Sequence, residues 1–429
     1  LKMTDPAGLV THYRYAADGS ESTVIYPGGL TQVSTTYLDG SSKASAGTVA
    51  PPTFQEAGVN PDGTQWTKVY TGTGDNTAQM WTKTTTDFLG RTIKTETPAF
   101  DGSIAVAESF YDATGRLVRS TAPGQADTLY EYDELGNVIR SGLDVNGDGK
   151  LTLASTDRIT DSDSVYEKDG RGHWWRKSWS RVYPVANDPA AVEMGVQKQR
   201  LTGFAGKITA ESRVIDIFGN ETVTITEMDA ASKTVTRTID TPDSDIDSVT
   251  VTVNGLVTQT TSRSGLTYTQ TYDALERPTG GVDPRTGKEI VHYDHKGQVD
   301  WAQDAAGNRT RFDYDSETGR QTVIEDALSK KEYVEYYIAG RRVKRWGDIG
   351  YPVSFTYDIL GRMTRMSTYR GGQGWNQPEW PANPGAADTT SWQYQPATGL
   401  LIAKTYADGK SIQYAYDAAG RVKSGFSSF

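Results

Sequence analysis

A segment in the first half of the chain has the residue spacing of a calcium-binding loop. Asp144, Asn146 and Asp148 place short oxygen side chains at the first, third and fifth positions of the DxNxDG pattern. The glycine that follows permits a sharp turn, the Lys150 carbonyl would be the seventh ligand position, and Thr152 occupies the ninth. The spacing therefore predicts a structural Ca²⁺ site.

The same loop departs from the full pattern at its end. The twelfth position is Ser155 rather than the bidentate Glu, and no helical pattern flanks the loop. Asp157 or Asp161 could take the place of the missing ligand. The alternative interpretation is a turn rich in Gly and Asx residues that binds no ion.

Two groups of tryptophans could contact a ligand. Trp174, Trp175 and Trp179 stand beside Arg and Lys, an arrangement that could stack on sugars or hold a cargo peptide. The structural alternative places Trp175 and Trp179 on one side of a long strand, where they cover the sheet. Trp375 and Trp380 lie in a Gly- and Pro-rich segment that reads as a long exposed loop, either a binding site or a plug at one end of the sheet.

The sequence has few groups suited to catalysis. It has no Cys, which excludes a thiol nucleophile, and only four His: His12, His173, His292 and His295. No metalloprotease, nucleophile-elbow, phosphate-loop or dinucleotide motif is present. We therefore predict no enzymatic activity and no catalytic residue, although a carboxylate pair for glycoside cleavage stays open as a weaker alternative.

A repeating unit accounts for most of the chain. Tyr272-Asp273, Tyr293-Asp294 and Tyr314-Asp315 are spaced by 21 residues, and a second turn signal falls between them. The chain thus reverses about every 10 residues, so that each unit is a hairpin of two strands. Residues alternate before each Asp, whose carboxylate can accept a bond from the amide two residues on, and Gly follows where positive φ is required. Glu276 replaces that Gly in one copy. The tyrosines and arginines of these units are expected to be structural, with each Arg pairing with the Asp of a neighbouring turn.

Further copies of the turn occur along the chain, at Asp5, Asp87, Tyr111-Asp112, Tyr132-Asp133, Asp216, Tyr357-Asp358 and Asp417. With these motifs the chain resembles the YD-repeat, or Rhs-repeat, family, which includes Rhs proteins, the shell subunits of insecticidal toxin complexes and teneurins. The sequence itself predicts an all-β fold of tandem antiparallel β-hairpins in a long strip that must curl, because open sheets rarely exceed about ten strands. The resemblance implies that the strip spirals into a hollow shell.

The resemblance also sets the expected organisation and function. Residues 1–429 are expected to be one continuous YD-repeat strip, a fragment of a larger protein, with insertions at about 38–65, 144–210 and 370–392. The expected role is a scaffold or shell that encloses or presents a C-terminal toxin or other cargo. The expected partners are that cargo and neighbouring shell segments. The alternative is a cell-surface adhesin that binds glycan or protein through its aromatic loops.

Composition narrows the partners further. The net charge of −10 disfavours nucleic acid, and no apolar run near 20 residues is present to span a membrane. With the family resemblance, this predicts a bacterial protein that is secreted or held at the cell surface.

Overall fold

The computed structural model describes residues 1–5, 7–243, 245–337 and 339–428. Within these ranges the chain forms 35 β-strands and one turn of 3-10 helix at Pro27–Gly29, with no α-helix. None of the helical structure in these ranges has the length and hydropathy that a membrane span requires. The prediction of an all-β fold is confirmed.

The strands are numbered in chain order. The first thirteen are β1 (Lys2–Thr4), β2 (Val10–Tyr15), β3 (Glu21–Ile25), β4 (Thr31–Thr36), β5 (Ser42–Gly47), β6 (Thr53–Val59), β7 (Gln65–Thr71), β8 (Met80–Thr86), β9 (Thr92–Pro98), β10 (Ile104–Tyr111), β11 (Leu117–Thr121), β12 (Asp127–Tyr132) and β13 (Val138–Asp144). The next eleven are β14 (Arg158–Lys168), β15 (Trp174–Val182), β16 (Val192–Arg200), β17 (Ile208–Ile215), β18 (Glu221–Asp229), β19 (Thr234–Asp240), β20 (Ser248–Val253), β21 (Leu256–Thr261), β22 (Thr267–Tyr272), β23 (Pro278–Asp283) and β24 (Gly287–Tyr293). The last eleven are β25 (Val299–Gln303), β26 (Arg309–Tyr314), β27 (Gln321–Glu325), β28 (Lys331–Tyr336), β29 (Arg342–Gly347), β30 (Val353–Tyr357), β31 (Met363–Arg370), β32 (Ala386–Tyr394), β33 (Leu401–Thr405), β34 (Ser411–Tyr416) and β35 (Val422–Ser428).

All strands belong to one open, meandering sheet. Each strand pairs antiparallel with the next strand in the chain, from β1 with β2 to β34 with β35. The sheet also runs through the stretches where the repeat spacing is lost. Residues 38–65 contain β5 and β6, and residues 144–210 contain β14, β15, β16 and the start of β17. Long excursions from the sheet occur between β13 and β14 and between β31 and β32.

A meander places its turns alternately on two edges of the strip. Turns that follow even-numbered strands, such as the one at Asp273 between β22 and β23, form what we call the Tyr-Asp edge. Turns that follow odd-numbered strands form the opposite edge. The predicted copy at Asp216 lies on the opposite edge, because it joins β17 to β18.

The strip coils until its two edges meet. The side-chain amide of Gln395, between β32 and β33, donates to the Phe100 carbonyl, between β9 and β10, over 2.8 Å. Nearby, the Phe100 and Tyr416 rings lie 5.2 Å apart. The Leu360 side chain lies beside Gly72 in the same way, and in both cases the two contacting turns are 23 strands apart (the turns after β9 and β32, and the turns after β7 and β30). The opposite edge of the first wrap therefore packs on the Tyr-Asp edge of the last wrap, and we call this contact the seam.

The coil has no interior packed by a second layer. Among the described residues, substantial strand contacts join only neighbours in the sequence. The accessible surface is 25534 Å², whereas a compact monomer of this mass would expose about 16,000 Å². At a strand spacing of about 4.8 Å, 23 strands give a circumference of about 110 Å and a diameter of about 35 Å. The molecule is thus a hollow coil with a wall one sheet thick.

The two faces of the strip differ in composition. Cross-strand pairing places Lys83 opposite Glu96 and Arg140 opposite Asp161, all on what we call the charged face. The tyrosines of the repeats, including Tyr272 and Tyr314, project from the other face, because side chains alternate along a strand. Both long excursions, between β13 and β14 and between β31 and β32, pack on the charged face.

Candidate functional site

The repeat turn is closed by its own aspartate. One Asp273 carboxylate oxygen accepts the amides of Leu275 and Arg277, over 2.9 and 3.0 Å. The other accepts Arg277 Nε over 2.7 Å. Glu276 stands at the Gly position with φ +63°, a left-handed conformation that is uncommon for residues other than Gly. The hydrogen bonds from the Arg277 side chain and amide lower the pKa of Asp273.

In the turns at Asp87, Asp112, Asp273, Asp358 and Asp417 the arginine pairs with the aspartate of the same turn, so the expectation of a bond to a neighbouring turn was wrong there. A guanidinium four residues after the carboxylate reaches it without leaving the turn. The side of the guanidinium that points away from the aspartate faces the next repeat. Arg277 thus lies 4.3 Å from the centre of the Tyr293 ring in that repeat. The same contact joins Arg91 to Tyr111, at 4.5 Å. Sequence reasoning missed this link between repeats.

The tyrosine of each repeat reaches back to the repeat before it. The Tyr314 hydroxyl donates to the Val299 carbonyl at 2.8 Å, at the start of the preceding strand, where the ladder between β25 and β26 has already ended. Six hydrogen bonds of this kind span 15 residues: Tyr132 to Leu117, Tyr272 to Val257, Tyr293 to Pro278, Tyr314 to Val299, Tyr357 to Arg342 and Tyr416 to Leu401. The tyrosines therefore tie successive repeats together.

The predicted calcium loop folds around Asp144. This carboxylate is buried and accepts the amides of Gly147, Asp148 and Gly149, at 2.8, 3.1 and 2.8 Å. The side-chain amide of Asn146 donates to the Asp148 carboxylate at 3.1 Å. Lys150 donates its amide to the same residue at 2.9 Å.

The loop offers a limited set of ligands for an ion. In the described ranges, no group of three or more His, Cys, Asp or Glu residues is close enough to hold a metal. The oxygen donors of the loop are two carboxylates, the Asn146 amide, the Thr152 hydroxyl and backbone carbonyls. A calcium ion here stays a prediction.

The two aspartates proposed as substitute ligands have other partners. Asp157 accepts the amides of Val145 and Thr152, at 3.0 and 3.1 Å, and so closes the loop from the far side. Asp161 accepts Arg140 Nε at 2.8 Å and the Tyr183 hydroxyl at 2.5 Å. Burial opposes ionisation of Asp161, but these two donors outweigh it and lower its pKa. Asp161 therefore belongs to a buried ion-pair network and not to the loop.

The first tryptophan group is divided between the two faces. Trp175 and Trp179 lie on the charged face, as expected from their spacing, and Trp174 lies on the other. Trp175 is buried, its ring lies 5.1 Å from the Arg213 guanidinium, and its indole nitrogen donates to Asp169. Trp174 is 41% exposed, so that it is the member of this group most accessible to a ligand.

The second tryptophan group forms a ring cluster on the charged face. Trp375 and Trp380 meet edge to face at 5.0 Å. Trp380 also packs against Tyr369 of β31 at 5.2 Å and Trp346 of β29 at 5.4 Å. Trp346 donates its indole N–H to the Gln377 carbonyl at 2.9 Å. The segment 371–385 therefore folds back onto the sheet. Trp346 sits inside an ordinary strand, and no sequence signal predicted its part in this cluster.

Two of the histidines lie in separate parts of the sheet, each among its own partners. His292 stacks on Trp301 at 5.1 Å and pairs with Asp300 at 2.6 Å on the strip surface. His173 lies 3.3 Å from Asp169 and 3.0 Å from Arg200, far along the chain from His292. Both contacts are explained by packing between neighbouring strands.

The geometry defines a class of protein: a coiled β-strip made of tandem hairpins. The family described as RHS Repeat matches residues 111–143, which hold the turns at Tyr111-Asp112 and Tyr132-Asp133, and residues 394–424, which hold the turn at Tyr416-Asp417. The chain therefore carries RHS repeats, and the predicted resemblance to the YD-repeat family is confirmed. No curated protein matches the sequence.

Solved structures share the fold. The TcdB2-TccC3 crystal structure matches 100% of this chain with a TM-score of 0.51 and 15% identity. The TcdB2-TccC3-TEV crystal structure matches 100% with a TM-score of 0.50 and 14% identity. This chain spans 24% and 27% of those two chains.

Proposed function

We propose that this chain is a non-catalytic wall segment of a hollow shell that encloses or presents a cargo, such as a C-terminal toxin. The observation that carries the proposal is the seam, where the strip returns to itself after 23 strands without filling the space within. The RHS repeats and the fold shared with TcdB2-TccC3 support a structural role. A shell of this kind would act outside the cell that makes it, in a secreted or surface-bound form.

The dimensions suit a container. After side chains are allowed for, a coil about 35 Å across leaves a space about 25 Å wide. That is wide enough for an extended or unfolded chain, whereas a folded domain of 100 residues has a diameter of about 34 Å. The proposed cargo is therefore held in an unfolded or partly folded state.

The test is protection of a fused peptide. An unstructured peptide attached after the last residue should be cleaved by protease more slowly than the same peptide on a compact control domain. The double variant Phe100→Ala, Gln395→Ala removes two seam contacts on the first and last wraps, and it should weaken that protection. Equal cleavage rates of the peptide on the parent chain, the double variant and the control domain would overturn the proposal.

The adhesin alternative rests on one exposed ring. Trp174 is 41% exposed and lies 4.9 Å from the Lys168 ammonium, so a glycan or peptide could reach it. Glycan-array binding that is lost in Trp174→Ala and kept in Trp175→Phe would favour the adhesin over the shell.

A further inference from the structure

A cavity opens on the charged face beside the ring cluster. It has a volume of about 710 Å³, within the usual range for ligand sites. Four parts of the chain meet there: the turn between β26 and β27, the sheet from β27 to β29, the folded-back segment that carries Trp380, and the first-wrap turn at Gly28. A molecule bound there would touch both wraps of the coil.

Aromatic rings form one wall of the cavity. Tyr333 and Trp346 stack at 5.6 Å, and Trp380 meets Trp346 edge to face. Tyr333 and Trp346 are 9% and 4% exposed, so their positions are fixed by packing. The Lys344 ammonium already lies 5.5 Å from the Trp380 ring, which shows that this ring accepts a cation beside it.

Carboxylates dominate the remaining wall. Asp315, Glu317, Glu335 and Glu379 line the cavity against the Arg320 guanidinium and the Lys344 ammonium beside Trp380, which leaves a net charge of −2 (four negative, two positive). Asp315 accepts the Thr318 hydroxyl and Glu335 pairs with Lys344.

The other two carboxylates differ from these. Within the described part of the chain, neither Glu317 nor Glu379 makes an ion pair of the kind found for Glu335. They come from separate segments, the turn between β26 and β27 and the folded-back segment. They therefore place uncompensated negative charge on two sides of one opening.

We propose that this cavity binds an organic cation, an alkylammonium or guanidinium group such as a Lys or Arg side chain. Rings attract the cation through their negative faces, and the carboxylates pair with it, more strongly in a partly enclosed site than in open water. A neutral sugar would also stack on the rings, but it would leave the excess negative charge uncompensated. The inference concerns a ligand site and is independent of the proposed shell function.

The experiment is a titration of the full chain with arginine amide, followed by tryptophan fluorescence and by the melting temperature. We expect saturable binding that weakens as salt is added, because screening reduces charge attraction. The double variant Glu317→Gln, Glu379→Gln should bind about tenfold more weakly. Both side chains are exposed, so these changes leave the fold intact.

The matched control is Glu134→Gln, an exposed glutamate in a turn of the same edge, which should bind like the parent protein. Titration with glucose tests the alternative that the cavity binds a neutral sugar. Binding of glucose as tight as that of arginine amide would overturn the proposal. So would the absence of saturation near about 10 mM arginine amide, or a double variant that binds like the control. Protection of a fused peptide is measured separately, so failure here leaves the shell proposal standing.

Discussion

The regular repeats from β21 to β27 and the long strands from β13 to β17 belong to one sheet, yet they are stabilised differently. Between Leu256 and Glu325 no hydrophobic side chain is buried, and each repeat is held by the hydroxyl, guanidinium and carboxylate bonds of its turn. Between Val138 and Ile215, Leu151, Ile159 and Trp175 are buried. Where the repeat chemistry is lost, local cores replace it.

The difference shows how a sheet with two open faces can persist. A long strip cannot bury a large core, so it gains stability through many small links between neighbours. Where strands lengthen and turns lose their Tyr-Asp motif, an excursion of the chain covers one face. Leu151, from the excursion after β13, packs on Leu129 and Ile159 in this way.

The largest effect is expected from the small core. Ile159→Ala should lower the free energy of unfolding by about 3 kcal/mol, because Ile159 is 3% exposed and its removal leaves a cavity. Leu275→Ala, in the regular repeats and 73% exposed, should cost less than about 0.5 kcal/mol. Urea unfolding measures both, and equal costs would remove the distinction between the two regions.

The second largest effect is expected from the buried ion pair between Asp161 and Arg140. Asp161→Asn should cost about 2 kcal/mol, because it leaves the half-buried Arg140 without its closest carboxylate. The control on the same strand is Asp163→Asn, where the side chain is exposed. Thermal unfolding measures both variants. If both have the melting temperature of the parent protein, the expectation is contradicted.

Calcium would act on the irregular region alone. If the loop binds Ca²⁺, an ion concentration ten times the dissociation constant should stabilise the protein by about 1.4 kcal/mol. Chelation should then lower the melting temperature, and Asp148→Ala should abolish that response while Asp163→Ala keeps it. A melting temperature unchanged by chelator in the parent protein would end the calcium prediction.

A single tyrosine hydroxyl in the regular repeats should matter less. Tyr314→Phe removes the bond to the Val299 carbonyl and should cost about 1 kcal/mol. Tyr166→Phe removes a hydroxyl from a ring that is 65% exposed and should have almost no effect. If the two variants unfold at the same urea concentration, the tyrosine links do not stabilise the repeats.

The smallest effect per residue is expected from pH. The pKa values of Asp273, Asp304 and Asp417 are lowered by hydrogen bonds from the residues that follow them. These aspartates contribute their full share of folding stability above their pKa in the unfolded chain, about 4. That share is lost as the pH falls through their lower pKa values in the folded protein. The melting temperature should be constant near neutrality and fall below about pH 4. Asp304→Asn should make that fall slightly shallower, and a profile flat to about pH 2 would refute the mechanism.

The turns could be predicted because their chemistry is local. Asp273 and Arg277 are four residues apart, so the sequence shows both members of the bond even though their pairing was assigned to the wrong turn. The ring cluster could not be predicted, because Trp346 and Trp380 meet only when the segment after β31 folds back over β29. The cavity carboxylates are likewise brought together from separate strands and turns.

By itself, the sequence determined the strands, the turns and the fact that the strip must curl. Alternation and the bonds of an Asp-Gly turn depend on residues within a few positions of one another. Only the tertiary structure decided that Gln395 meets Phe100, 295 residues away. That contact depends on the small twist between neighbouring strands summed over 23 of them, and no single repeat encodes the sum.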